Sequence, residues 1–320
     1  MKFEEIEKYL RFNEQETNIY IPNEIFKDLQ NNFKKTNHIP VAYSYYYLIC
    51  WLYRYAKYGS FNIDNKKIKE ILGYHQDSKG IDYIMKKGGV LDLMEYTITQ
   101  KDYPLSWRYD KYDGYGLEFE MLSEFPEEIQ KTLKELQSRK YTIKYPVKAF
   151  HRSKESEEDS YEDGTFFEVD NTHLVPFEVF MFCMSKKEIG CTGFYLWSYL
   201  KMQNQKFVNG YDVAMHQLAI DIGLPKMTMV DHLKTLRQYN MVGVIHNQEY
   251  FCLLLDDGKR KANTYKTNEY ITFNDSPQDY EKIKVVESRE YIDLMKEEAE
   301  RSRMKIQEGR IDISLDQLPF

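Results

Sequence analysis

The sequence predicts a mainly α-helical protein with small β elements, an α+β fold in which two similar units are followed by a C-terminal helix. Apolar residues recur at helical spacing in several runs, and short β-rich runs follow two of them. A helix pattern ending in an aliphatic residue and a glycine precedes an apolar run twice, from Gly73 to Val90 and from Gly223 to Met241. Because these two distances are nearly equal, we interpret the two halves as copies of one unit.

Composition supports a folded chain and excludes several protein classes. The 320 residues are 42% hydrophobic and 30% charged with a net charge of -7, which argues against a wholly disordered chain. No run of eighteen apolar residues occurs, and the N-terminus is acidic, so we expect no membrane span, no signal peptide and a cytoplasmic location. The four cysteines form no CxxC pair, which favours core positions over zinc or disulfide sites.

Composition also divides the chain into five ranges. They are an N-terminal helical appendage (1–37), the first unit (38–122), a helix and acidic linker (123–167), the second unit (168–267) and a C-terminal helical tail (268–320). The Tyr-rich run from Ile39 to Tyr58 is too long for a strand and predicts a buried helix. Six acidic residues among the eleven positions from Lys154 to Gly164 predict a solvated loop. The tail predicts a helix from Ser276 to Gly309, which would pack on a unit or on a second copy of the chain. Its broken apolar stripe consists of Ile283, Val286, Ile292, Met295 and Met304.

The second unit carries the strongest pattern, at residues 190–257. Three helical runs precede two β-rich runs, and the β-rich runs predict a hairpin. The helical runs are GCTGFYLWSYLKMQNQKF, VAMHQLAIDIGL and PKMTMVDHLKTLRQYN, and the β-rich runs are MVGVI and YFCLLL. In the third helix Met229, Leu233 and Leu236 recur at i, i+4 and i+7 and therefore point inward. Gly223 supplies the positive φ that the tight turn before this helix requires.

The run LAIDIGLPKMTMVDHLKTLRQYNMVGVI resembles the helix-turn-helix and first wing strand of bacterial winged-helix DNA-binding proteins. The resemblance implies two winged-helix domains in tandem, with small β wings, and a third helix that enters the major groove. It implies a wing at about Ile245 to Phe251. The sequence departs from the family where Pro225 replaces the usual Ser or Thr cap and Asp231 replaces a frequent arginine. The outward-facing residues expected to contact DNA are Lys226, Met227, Thr228, Lys234 and Arg237.

Two further basic groups are candidates for phosphate contacts. The first unit repeats the pattern in NIDNKKIKEILGY and SKGIDYIMKKGGVLDL, where a helix would end at Gly88-Gly89 and a strand would start at Val90. Its lysines, Lys66, Lys67 and Lys79 among them, form either an ordinary solvated surface or a phosphate-contacting face. The run GKRKANTYK, expected to follow the second wing, contains Lys259, Arg260 and Lys261 and is either a soluble loop or a phosphate arm.

Motifs for catalysis are missing from the sequence. GxxxxGK[ST], GxGxxG, GxSxG and HExxH do not occur, and the seven histidines are scattered without metal-ligand spacing, so we expect no enzyme, no cofactor and no metal. Tandem winged-helix units without a catalytic motif resemble the non-catalytic replication initiators of plasmids and phages in low-GC Gram-positive bacteria. That resemblance implies a protein that binds double-stranded DNA.

Two alternatives stay open at this point: a transcriptional regulator that uses the same DNA face, and a protein-interaction adaptor that does not bind DNA. The expected partners are double-stranded DNA, a second copy of the chain bound through the C-terminal helix, and replication or transcription proteins, with no membrane partner.

Overall fold

The computed structural model describes residues 1–110, 116–136, 141–166 and 169–311, which form a mixed α/β protein with small sheets. The predicted α+β class is therefore confirmed. The helices are α1 (Phe3–Leu10), α2 (Ile25–Asn32), α3 (Ile39–Arg54), α4 (Lys57–Ser60), α5 (Asn65–Ile71), α6 (Asp82–Met85), α7 (Val90–Leu93), α8 (Glu127–Leu136), α9 (Lys154–Glu158), α10 (Phe177–Ser185), α11 (Gly190–Lys206), α12 (Met215–Ile222), α13 (Lys226–Gln238) and α14 (Ser288–Ile311). The strands are β1 (Asn18–Pro22), β2 (Ile98–Gln100), β3 (Pro104–Asp110), β4 (Gly116–Met121), β5 (Ile143–Tyr145), β6 (Thr172–Pro176), β7 (Tyr211–Val213), β8 (Val242–Ile245), β9 (Tyr250–Phe251), β10 (Asn263–Thr267) and β11 (Lys284–Val285).

The Tyr-rich helix α3 lies at the centre of the core. Every one of its residues is buried, as the sequence predicted, and it packs against α11 of the second unit. The helix ends at Arg54 rather than at Tyr58, because Ala56 has a φ of +51° and α4 begins after it. Trp51 of α3 stacks on Phe177 with ring centroids 3.9 Å apart and planes 8° apart. One cluster of buried hydrophobic residues extends from Ile6 to Tyr265. The two units therefore share a continuous core.

The N-terminal range is built into this core. The range predicted as a helical appendage also contains strand β1, which pairs antiparallel with β6 so that Ile19 lies opposite Val175. Ile19 and Ile21 are fully buried because alternate residues of this strand face the core. The indole N–H of Trp51 donates to the Glu16 carbonyl at 2.8 Å, which ties the range to α3.

The first unit differs from the sequence prediction after α5. The expected third helix is only the four-residue α6, and Val90 begins the short helix α7 rather than a strand. Helix α6 ends at Met85, where Lys86 turns to an extended conformation, and Gly88 follows with a φ of +67°, which glycine adopts without strain. Strand β2 then pairs with the distant β5, and β3 pairs with β4.

The second unit contains α11, β7, α12, α13, β8 and β10, with an antiparallel sheet in the order β7-β10-β8. The inward residues Met229, Leu233 and Leu236 are buried, and Gly223 has a φ of +70°, so these predictions are confirmed. The predicted hairpin of MVGVI with YFCLLL is wrong, because β8 pairs with β10 instead, with Val242 opposite Thr267. Residues 246–262, named here the β8–β10 loop, join the two strands. Lys259, Arg260 and Lys261 therefore lie inside this loop rather than beyond it.

The linker and the tail also depart in part from the expectation. The acidic stretch is mostly exposed but begins with the short helix α9, which the Ser153 side chain caps by accepting from the Ser156 N–H. The tail helix begins at Ser288 and not at Ser276, because the preceding residues run extended and include β11, which pairs parallel with β9. Within the part of the chain that the structure describes, no helix has both the length and the apolar character needed to cross a membrane.

Candidate nucleic-acid interface

The turn between α12 and α13 is fixed from both sides. A Cβ added at Gly223 would lie 2.6 Å from Cγ of Gln30, so the N-terminal range packs directly on the turn. The Gln30 side-chain amide donates to the Asp221 carbonyl at 2.8 Å. From α11, the hydroxyl of Tyr195 donates to the Ile222 carbonyl at 3.1 Å. These contacts hold α13 in one orientation relative to the core.

The N-terminal half of α13 is open to solvent. Lys226, Met227, Asp231 and Lys234 are exposed, with Met227 71% exposed, while Thr228 is half-buried. Pro225 precedes the helix, and among the described residues no side chain caps its first turn. The backbone N–H groups of that turn are therefore available to an acceptor such as a phosphate oxygen.

Arg237, expected on the same face, is engaged by the tail. Its Nη2 donates to the Glu281 carbonyl at 2.7 Å, and its guanidinium lies 3.9 Å from the ring centroid of Tyr280. Burial lowers the pKa of Arg237 below its ordinary value, although an arginine stays charged in proteins. In this arrangement the side chain holds the tail and does not project from the outer face of α13.

The three basic residues of the β8–β10 loop have different environments. Lys259 and Lys261 are exposed. Arg260 instead donates from Nε to the Leu255 carbonyl at 3.0 Å and from Nη2 to the Leu253 carbonyl at 3.3 Å. Arg260 therefore stabilises the backbone of the loop, while the two lysines extend into solvent.

The lysines of the first unit lie among carboxylates. Lys66 is 3.6 Å from Asp77, and Lys67 is 3.0 Å from Glu70. Lys79 is exposed. Nearby Lys69 points inward and pairs with Asp82. The positive potential of this surface is therefore weaker than its lysine content indicates.

A histidine on the opposite side of α13 faces a cavity. His232 lines a cavity of about 500 Å³ together with Lys186, Lys187 and Cys191. Burial lowers the pKa of His232, and its Nδ1 is buried with no hydrogen-bond partner within the described part of the chain. Among the described residues there is no group of three or more His, Cys, Asp or Glu side chains that could hold a metal ion.

Sequence reasoning missed the residues that connect the tail to this site. Tyr280 and Glu281 lie in a polar stretch without periodicity, so no local signal pointed to a contact with Arg237. Val286 and Met295 belonged to the predicted apolar stripe, and that stripe indicated packing without identifying the surface. Its contact with the β8–β10 loop joins residues that are far apart in the sequence.

Comparison with known proteins assigns no family to the chain. No family model matches it, and neither does a curated protein or a solved structure.

Proposed function

We propose that this protein binds double-stranded DNA through α13 and the β8–β10 loop, as a non-catalytic replication initiator of a plasmid or phage. The observation that carries the proposal is the order of elements in the second unit. Helix α11, strand β7, helices α12 and α13 and the paired strands β8 and β10 follow one another as in winged-helix domains. In such domains the helix after the tight turn enters the major groove, and its exposed side chains read base edges.

The charge distribution fits this proposal despite a net charge of -7. Phosphates respond mainly to charges within about 10 Å, the Debye length at ordinary salt. Exposed Lys226 and Lys234 lie on α13, and exposed Lys259 and Lys261 lie in the β8–β10 loop, which follows the strand β8 that contacts α13. Lys226 and Thr228, in the first turn of α13, are the residues proposed to reach base edges, and the loop lysines are proposed to bind phosphate.

The replication role is the more specific part of the proposal and rests on the sequence. The sequence interpretation of two related units without a catalytic motif resembles non-catalytic initiators. The first unit has only the short helix α6 where a recognition helix was expected, so its proposed second contact rests on Lys66, Lys67 and Lys79. A transcriptional regulator would use the same DNA face. Dependence of plasmid or phage copy number on the gene would favour initiation, whereas a binding site near the gene's own promoter would favour regulation.

One observation favours a second candidate, a protein-interaction adaptor. The carboxylate of Asp231 lies exposed on the outer face of α13, where it would repel phosphate, and Arg237 on the same helix is held by the tail. The strongly exposed Met227 suits an apolar protein contact as well as a thymine methyl group.

The test begins with selection of bound fragments from random genomic DNA at two salt concentrations, which yields a preferred site. Replacing Lys226 and Thr228 by alanine should then weaken binding to that site by about 1–3 kcal/mol for each side chain that reads a base well, with less effect on random DNA. The matched control is Lys131→Ala with Thr132→Ala, which removes the same side chains from the exposed surface of α8 and should leave binding unchanged.

Neutralising Lys259 and Lys261 should act differently. Binding to all sequences should weaken alike, and the slope of log affinity against log salt should fall by about 0.9 for each phosphate that is no longer bound. Arg260 is left in place because it stabilises the loop. If the α13 variant retains full affinity for the selected site and the loop variant retains the full salt slope, the adaptor becomes the better proposal.

A further inference from the structure

The tail makes a first contact at the C-terminal end of α13. Beyond the stacking of Arg237 on Tyr280, the backbone N–H of Gln278 donates to the Gln238 carbonyl at 2.9 Å. The backbone N–H of Asn274 donates to the Tyr239 carbonyl, also at 2.9 Å. The extended residues after β10 are thus fastened to the last turn of α13 by main-chain and side-chain contacts.

A second contact joins the tail to the β8–β10 loop. Strand β11 pairs with β9, and the N–H of Val286 donates to the Phe251 carbonyl at 2.9 Å. Cys252 and Leu255 from the loop and Val286 and Tyr291 from the tail form a small buried cluster separate from the main core. Half of this cluster comes from the tail, so the loop alone has too few apolar residues to bury Cys252 and Leu255.

We infer that residues 274–295, named here the strap, tie the end of α13 to the β8–β10 loop and thereby position Lys259 and Lys261. This inference rests on the proposed function for its effect on DNA. A connection as long as 246–262 between neighbouring strands is uncommon, and ordering it costs conformational entropy that local contacts must offset. The strap supplies those contacts. Val286, Tyr291 and Arg237 are positioning residues, since they act through the loop lysines.

The structural part of the inference is tested by hydrogen exchange in the full chain. Val286→Asp places a charge in the small cluster and should remove protection from the amides of residues 250–255. Ile292→Asp is the matched control, because Ile292 is an exposed apolar residue of the same tail outside that cluster. Val286→Ile should retain the wild-type protection. Tyr280→Ala tests the first contact independently, so the result does not depend on how one variant folds.

The functional part is tested by combining variants. Val286→Asp should lower the salt slope of duplex binding by up to about 1.8, as neutralising both Lys259 and Lys261 does, at about 0.9 per phosphate bound. In the Val286→Asp background, neutralising the two lysines should cause almost no further change, because both perturbations act on the same phosphates. Ile292→Asp should retain the wild-type slope.

Three results would overturn the inference. The first is that Val286→Asp leaves the hydrogen-exchange protection of the loop amides unchanged. The second is that the effects of the strap and lysine variants on the salt slope add up. The third is that Val286→Asp tightens DNA binding, which would mean that the strap blocks access to the DNA-binding surface. A wild-type protein that binds no duplex would instead refute the proposed function. In that case hydrogen exchange alone decides whether the strap orders the loop.

Discussion

Acid should destabilise this protein through a histidine buried between the two units. His173 is fully buried, and burial lowers its pKa from the ordinary 6.5 to about 3. Its Nε2 lies 2.8 Å from the Tyr43 hydroxyl and its Nδ1 lies 2.9 Å from Oδ1 of Asn23. A neutral ring satisfies both contacts, with Nδ1–H donating to Asn23 and Nε2 accepting from Tyr43. The folded state therefore holds His173 without its proton.

The sign and the size of the effect follow from linkage. Between pH 6.5 and about 3 the unfolded chain binds a proton at this position and the folded chain does not, so stability falls as the pH falls. Each pH unit in this window costs about 1.4 kcal/mol, and lowering the pH to 4.5 should cost roughly 3 kcal/mol through this residue. That is a large share of the roughly 5–15 kcal/mol that stabilises a typical domain. Above pH 6.5 the contribution is fully retained.

The measurement is urea unfolding of the wild type, His173→Gln and His216→Gln at pH 7 and pH 4.5. His173→Gln should lower stability at pH 7, because it removes the imidazole ring, whose centroid lies 5.2 Å from the ring centroid of Phe26. It should also reduce the loss of unfolding free energy between pH 7 and pH 4.5 by roughly 3 kcal/mol. His216 is exposed, so its replacement should leave that difference unchanged. If His173→Gln has the same pH dependence as the wild type, the buried neutral histidine is not the acid-sensitive group.

Two further substitutions probe the turn and the outer face of α13. Gly223→Ala should destabilise the protein by about 1–2 kcal/mol, because its φ of +70° disfavours a side chain and the new methyl group would collide with Gln30. Chemical denaturation measures this loss of stability. In a Gln30→Ala background the loss should be smaller, because the collision is removed. Asp231→Asn should strengthen binding to duplexes of all sequences, because it removes an exposed charge that repels phosphate. Titration with duplex DNA at two salt concentrations measures the affinity. An unchanged affinity would mean that the outer face of α13 does not contact phosphate.

The sequence was informative where the signal is local. The spacing of Met229, Leu233 and Leu236 identified the buried face of α13, and the Gly-Leu pair at Gly223 identified the turn. Both depend on residues within one or two helical turns, so periodicity is sufficient to find them.

Local periodicity predicted neither the pairing of the strands nor the contacts of the tail. Strand β10 reads as the polar NTYKT, yet it is the middle strand of its sheet and fully buries Tyr265. The more apolar YFCLLL was the better strand candidate by composition, but its buried residues pack against the tail instead. The register of β10 and the contact between Arg237 and Tyr280 depend on which distant segments meet, and local propensity carries no information about that.

The shared core depends on buried aromatic residues, whereas the exposed site depends on charged residues that no packing contact specifies. Helices α3 and α11 bury aromatic side chains against each other, so the orientation of α13 is set by contacts that extend into the first unit. The residues proposed to bind DNA, Lys226 and Lys259 among them, are exposed, and their identity is not constrained by packing. Packing determines the spacing of apolar residues along α13, whereas binding does not. The apolar period therefore identifies the buried face of α13 and, opposite it, the exposed face. Only the charges on that surface, and the strap that holds the neighbouring loop, can decide what the surface binds.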